Sequence, residues 1–286
     1  MKVIDCILGA AIGDAMGVPF EFRHRGSFQC KDMEGYGTWN KPPGTYSDDT
    51  AMTLCTIDAV VKGYSRALLI ENFIKWYQHG FWSLDNHTFD IGNTTCAALE
   101  AHRQNKPIKE DEFTNGNGSL MRMVPLAFWL MHYELADRNR LISEISSITH
   151  PHKISVDSCI FIINVAIYLI NGHNIKQAIK NCNHEFYTFD YLINLKESDI
   201  TSDGFVLNTL QAALWVLVKT DDFRSAILKA VNLGSDTDTT ACIVGGLAGI
   251  MYDIPKVWIK KLRGNDDIIA LSKNYKDYLL QVESNF

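Results

Sequence analysis

The chain has 286 residues, 47% of them hydrophobic, enough for one large domain or two small ones. Its net charge of −6 at pH 7 argues against a general attraction to nucleic acid or to a membrane surface. Seven scattered cysteines, odd in number and without a CxxC pair, point to free thiols in a reducing cytosol and away from a zinc–cysteine site.

The first residues lack the basic and apolar regions of a signal peptide. No uninterrupted apolar run reaches the roughly 18 residues of a membrane span. A cytoplasmic protein is expected. Val3, Ile4, Ile7, Leu8, Ala11, Ile12 and Ala15 recur at helical spacing. Gly9, Gly13 and Gly17 interleave with them. Each glycine costs a helix roughly 1 kcal/mol, so the repeat predicts close packing or close approach of a ligand. Asp14 lies among these residues, Pro19 ends the segment, and Glu21 follows.

Residues 23–47 are rich in glycine, proline and polar groups, which predicts a long loop, either a functional lid or a disordered surface excursion. Ser47-Asp48-Asp49-Thr50 then precedes a helix over 49–63, with a second over 66–79. Phe89-Asp90-Ile91-Gly92 leads into a helix around 96–102, where Asp90 reads equally as a cap or a catalytic acid. The turn Thr114-Asn115-Gly116-Asn117-Gly118-Ser119 opens into an apolar helix over 120–129. Glycines before a helix free backbone amides for an anion such as phosphate, although Asn-Gly pairs also mark ordinary turns. Helices follow over 137–149, 155–171, 174–183, 205–219 and 221–233, and two amphipathic helices close the chain. Phe186-Tyr187-Thr188-Phe189 is too short to build a sheet.

The second acidic turn is Gly234-Ser235-Asp236-Thr237-Asp238-Thr239-Thr240, followed by a small-residue apolar helix. Hard divalent cations take carboxylate and hydroxyl oxygens. Asp236 and Asp238, two apart in a turn, can aim at one centre, with the Thr239 hydroxyl beside them. Adjacent Asp48 and Asp49 diverge by roughly 100° on a helix, which suits two neighbouring ions. Four carboxylates gathered without cations would repel and raise one another's pKa. The two turns are therefore expected to meet around divalent metal. Ser, Thr and Asp are also preferred helix caps, and that reading stands beside the metal one.

Taken together, several stretches resemble the ADP-ribosylglycohydrolases, including the type that acts on dinitrogenase reductase. They are Gly13-Asp14-Ala15-Met16-Gly17-Val18-Pro19 with Glu21, Ser47-Asp48-Asp49-Thr50, and Phe89-Asp90-Ile91-Gly92. Asn117-Gly118-Ser119-Leu120-Met121-Arg122, Thr149-His150-Pro151 and Asp236-Thr237-Asp238-Thr239-Thr240-Ala241 with Gly245 and Gly249 continue the series, and Tyr252-Asp253-Ile254-Pro255 with Trp258 ends it. The resemblance implies an all-α, single compact orthogonal helical domain over 1–286 with a two-metal cleft holding Mg²⁺ or Mn²⁺. It implies Ser47, Asp48, Asp49, Asp236, Asp238 and Thr239 as metal ligands, and Asp90 and Glu21 as catalytic carboxylates, either of them the acid or the base. Asn117, Gly118, Ser119 and Met121 resemble a diphosphate cradle, and His150 and Ser235 resemble substrate contacts. The loop at 23–46 and residues 184–204 match no motif.

The activity implied is hydrolysis of the glycosidic bond between ADP-ribose and an acceptor, with arginine on a protein favoured and a monomeric enzyme expected. Such cleavage builds oxocarbenium character on the ribose. Two rivals stand beside it: an ADP-ribose-binding module without chemistry, and another two-metal hydrolase such as a phosphoesterase.

Overall fold

The glycine repeat at the start of the chain finds its partner near the other end of the sequence. In the computed structural model, which describes residues 2–111, 113–182 and 187–284, helix α1 (Val3–Gly17) lies antiparallel to α12 (Thr237–Met251). Their backbones touch. A Cβ on Gly9 would stand 2.2 Å from the Gly245 carbonyl oxygen, one on Gly13 1.9 Å from that of Ala241, and one on Gly249 2.3 Å from that of Asp5. Four-residue spacing keeps these positions on one face of each helix. Of the two explanations the sequence left open for the repeat, close packing accounts for these glycines.

Between the pair run α2 (Asp48–Val61), α3 (Arg66–His79), α4 (Asn93–Arg103), α5 (Ala127–Leu130), α6 (Leu135–Ser146), α7 (Lys153–Ile170), α8 (Ile175–Cys182), α9 (Phe189–Asn194), α10 (Val206–Val218) and α11 (Phe223–Val231). The short α13 (Lys256–Lys261) and the long α14 (Asn265–Glu283) finish the fold. One hydrophobic core draws on side chains from Val3 to Leu279. Among the described residues the only β pairings are isolated bridges, Tyr36 with Lys41 and Gly116 with Phe205, so the fold is all-helical as expected. Phe186, part of the one weak strand signal, lies outside the described residues, as does residue 183 at the end of the expected helix 174–183.

Two expectations change. The helix over 120–129 is instead two 3₁₀ turns, Leu120–Arg122 and Val124–Leu126, before the short α5. Pro125 lacks the N–H that a continuous helix needs there. The loop at 23–47 is not a disordered excursion. Asn232 bonds both the amide and the carbonyl of Cys30, and Asp32 accepts from Trp258 Nε1 at 2.6 Å and Lys261 Nζ at 2.7 Å. Two 18-residue windows, Val3–Phe20 and Lys153–Ile170, do reach a mean hydropathy of 1.6 and 1.8, because their scattered polar residues barely lower the average. The first is 89% buried against the rest of the fold, as a core helix is, and the second 50%.

Candidate active site and metal centre

The α1–α12 seam sets the floor of the site. A Cβ on Gly17 would lie 2.3 Å from Asp238 Cα, so the end of α1 abuts the start of α12. Thr237 Oγ1 donates to the Gly17 carbonyl at 2.8 Å. One turn back, the buried Asp14 carboxylate accepts from the Ser47 amide at 2.9 and 3.0 Å, the Thr50 amide at 3.0 Å and Thr50 Oγ1 at 2.6 Å. Asp14 thereby anchors the 47–50 turn to α1, which already holds the 236–239 turn. The two acidic turns meet directly: Thr239 Oγ1 donates to Asp49 Oδ2 at 3.3 Å.

The cap reading of the first turn holds. Ser47 caps α2, accepting from the Asp49 amide at 3.3 Å, and its hydroxyl also donates to Asp49 Oδ2 at 3.2 Å. The second turn differs. Asp236 stands at the cap position of α12 yet makes no side-chain cap bond. Its Oδ2 accepts instead from Asn117 Nδ2 at 2.7 Å.

Two groups of carboxylates converge and share a member. Oxygen atoms of Asp14, Asp49 and Asp238 lie within 4.8 Å of one another, as do those of Glu21, Asp236 and Asp238. Asp49 Oδ1 and Asp238 Oδ2 are buried without a hydrogen-bond partner. A buried carboxylate oxygen left unpaired is costly, and a hard cation satisfies it. The donor set fits divalent metal. Burial first, then repulsion from neighbouring carboxylates, pushes Asp48, Asp49 and Asp238 well above the usual range. Glu21 is pushed up to about 10 by burial and the Asp90 charge, opposed by the bond from Trp39 Nε1. Burial raises Asp90, and contacts with Asp238 and Glu21 hold it down. Burial also raises Asp236, and takes Asp14 to about 6 against the bonds it accepts.

Above the floor opens a cavity of about 260 Å³, lined by the acidic Glu21, Asp48, Asp90 and Asp236 with Thr239, and by Asn117, Gly118, Met121, His150 and Gly204. Gly118 faces His150 so closely that a Cβ would sit 2.8 Å from the ring. Behind this turn lies Arg122, fully buried and without a carboxylate partner among the described residues. Its Nη1 donates to the Gly118 carbonyl at 2.5 Å and its Nη2 to Thr149 Oγ1 at 3.0 Å, while its plane covers the Phe73 ring at 4.8 Å. Thr149 Oγ1 in turn is 2.9 Å from His150 Nδ1. Burial and the Arg122 charge lower His150 to about 3, so its ring is neutral near pH 7. Ser119 points elsewhere: its buried hydroxyl bonds Ser146 at 2.9 Å and meets Cys159 Sγ at 3.5 Å. Ser235 is exposed at φ 60°, its amide donating to the Arg23 carbonyl at 2.8 Å.

The family model for ADP-ribosylglycohydrolases matches residues 1–285. The chain belongs to the ADP-ribosylglycohydrolase family. An ADP-ribosylarginine hydrolase, Tri1, of Serratia proteamaculans is 34% identical over 95% of this chain and 78% of its own. The ADP-ribosyl-[dinitrogen reductase] glycohydrolase of Rhodospirillum rubrum is 29% identical over 91% of this chain and 90% of its own. A solved structure described as an ADP-ribosylglycohydrolase-related protein complex superposes with a TM-score of 0.81 at 26% identity, covering 97% of this chain and 98% of that one. This protein is accordingly an ADP-ribosylglycohydrolase enzyme.

Sequence reasoning missed several parts of this ADP-ribosylglycohydrolase site. Asp14 stands in the sequence only inside a glycine-punctuated stretch, without a role; an acid within an otherwise apolar helix is the available signal. Residues 202–204 carried no motif, yet Ser202 accepts from the Asp236 amide at 2.9 Å and the Gly204 carbonyl from the Asn117 amide at 3.1 Å. This segment sits between the glycine-rich turn and the metal turn. Asn93, Thr94 and Thr95, at the start of α4, line the cavity as well.

Proposed function

We propose that the protein is a metal-dependent hydrolase that cleaves ADP-ribose from arginine on a protein and releases free ADP-ribose. The observation that carries this is the pair of carboxylate groups joined through Asp238, with Asp49 and Thr239 in direct contact across them. Asp48, Asp49, Asp236 and Asp238, with Ser47 and Thr239, would hold two divalent cations, Mg²⁺ or Mn²⁺. When bound, these ions supply Lewis acidity to the ribose hydroxyls and to water at the anomeric carbon.

The remaining steps belong to the protein's own residues. The Asn117–Gly118 turn, with Met121 and His150, holds the diphosphate and so places the reacting carbon. A neutral His150 adds a donor without a competing charge. Ser119 supports this turn from within the core, and Ser235 holds the rim through its backbone. Asp90 and Glu21 sit within contact of each other, and one takes a proton from the attacking water while the other serves the leaving nitrogen. Seven free cysteines support a reducing, cytoplasmic setting, and a monomer suffices because one chain supplies the whole set of ligands.

The test is incubation with an ADP-ribosyl-arginine peptide and Mg²⁺ or Mn²⁺, with products read by mass spectrometry. Intact ADP-ribose and free arginine side chain are expected. AMP or free phosphate would indicate phosphoester cleavage, and tight binding without any product would indicate a binding module.

A further inference from the structure

The geometry points to Phe22 as the ring that receives the departing arginine side chain and selects for it. This rests on the arginine reading above and deepens it. Phe22 lines the cavity beside Glu21, yet the residue is 65% exposed. Its backbone stands at φ 62°, in the left-handed region that side chains other than glycine rarely adopt.

Several contacts impose that conformation. The Phe22 amide donates to the Ser235 carbonyl at 2.7 Å, and the Arg23 amide to the Phe20 carbonyl at 3.1 Å. Thr38 Oγ1 donates to the Glu21 carbonyl at 2.7 Å. The ring meets Trp39 edge-on with centroids 6.2 Å apart. Trp39 in turn packs on Phe89 at 5.5 Å and donates to the Glu21 carboxylate. A large apolar ring is thus fixed at the mouth of an acidic cavity instead of folding into the core.

The charge of the lining says what the ring is for. Beside Asp48 and Asp236, which would hold metal, Glu21 and Asp90 also face the cavity, and no Lys or Arg is among the described lining residues. Such a mouth favours a cation. A guanidinium group is planar, lies flat on an aromatic face, and donates its edge as a fork to carboxylates. Phe22 beside Glu21 and Asp90 supplies both a face and acceptors. A serine acceptor, being neutral, would gain neither. In the reaction the bond from the anomeric carbon to the guanidine nitrogen breaks, its electron pair leaves on that nitrogen, and a proton restores the guanidinium. The water oxygen bonds to the anomeric carbon. The cation that Phe22 holds is therefore the product side chain as well as part of the substrate.

Three variants test this with an ADP-ribosyl-arginine peptide: Phe22→Ala, Phe22→Leu and Phe22→Tyr. An exposed ring is not needed for folding, and equal melting temperatures check that. The expected result is a loss of about tenfold in kcat/KM for Phe22→Ala and Phe22→Leu, with Phe22→Tyr within about threefold of wild type. Inhibition by free ADP-ribose should change less than about twofold in all three, because ADP-ribose lacks the cation. Wild-type kcat/KM in Phe22→Leu would overturn the role of the ring, as would weakening of ADP-ribose inhibition in proportion to the lost activity. If the wild-type enzyme releases no ADP-ribose from arginine, the arginine reading itself fails and this inference with it. A wild-type enzyme active on arginine, with variants unchanged, overturns the Phe22 inference alone.

Discussion

The floor and the rim of the cavity are built by different means. The floor is two helix ends locked by a glycine seam, with Asp14 tying the Ser47–Thr50 turn to the same scaffold. Its backbone is regular and its side chains are buried. The rim carries three non-glycine residues in the left-handed region, Phe22 at φ 62°, Asp90 at φ 60° and Ser235 at φ 60°. Each such residue costs about 1–3 kcal/mol and persists only where surrounding contacts impose it. Here those contacts come from distant segments: Phe22 and Ser235 exchange backbone bonds with each other's neighbourhoods across more than two hundred positions of sequence. Packing fixes where the carboxylates are. Strained turns fix how the groups that meet substrate are aimed.

The largest break is expected at the floor. Asp238→Ala removes the carboxylate shared by both acidic groups, so turnover should fall by roughly a thousandfold or more while circular dichroism stays helical. A second reading needs no activity. Mg²⁺ or Mn²⁺ at a hundredfold excess over its dissociation constant should stabilise the wild-type fold by about 2.7 kcal/mol. The matching rise in melting temperature should vanish in Asp238→Ala and reverse with EDTA. A variant that kept wild-type turnover and the full thermal shift would remove the metal centre from this site.

The next effect tests the seam that carries the floor. Gly13→Val places a branched side chain where even a Cβ would stand 1.9 Å from the Ala241 carbonyl oxygen. Backbone cannot move aside as a flexible side chain can, so a loss of about 3 kcal/mol is expected, a fall in melting temperature of about 6–12 °C. Metal affinity should drop too, since spreading α1 from α12 separates Asp14 from Asp238. A stable Gly13→Val protein with unchanged metal affinity would show that the seam does not position the ligands.

The same contrast explains what the sequence discloses. Helical periodicity, glycines four apart, and acid-rich turns before apolar runs are local patterns, and the floor is made of them. Asp48, Asp49, Asp236 and Asp238 were legible because oxygen ligands need closely spaced acids. The rim is written in pairings between remote backbone groups, which leave no local signature. Nothing around Arg25 announces that it reaches Leu233, and nothing in Ser202-Asp203-Gly204 announces a brace for Asp236. Ser119 shows the converse case. A polar residue in a glycine-rich turn reads as a ligand contact, yet its hydroxyl is spent on Ser146 inside the core. The stretch 120–129 reads as an apolar helix, and Pro125, lacking an amide proton, breaks it into two 3₁₀ turns before α5.

The smallest effect isolates the rim. Arg25 Nε donates to the Leu233 carbonyl at 2.9 Å and its Nη2 to that of Ile200 at 2.6 Å, while Nη1 bonds the Glu197 carbonyl. One side chain thus holds the 22–25 segment against the chain just before Ser235. Because Arg25 is partly exposed, Arg25→Ala should lower stability by only about 1 kcal/mol. Its functional trace should differ in kind from that of the floor. With the Phe22–Ser235 exchange loosened, KM for an ADP-ribosyl-arginine peptide should rise about threefold with kcat within about twofold, since aiming of the substrate suffers and the ligands do not. Metal-induced stabilisation should remain at the wild-type value. Should kcat and metal affinity fall together with KM, the rim and the floor would be one mechanical unit, and the separation between packing and aiming would not hold for this protein.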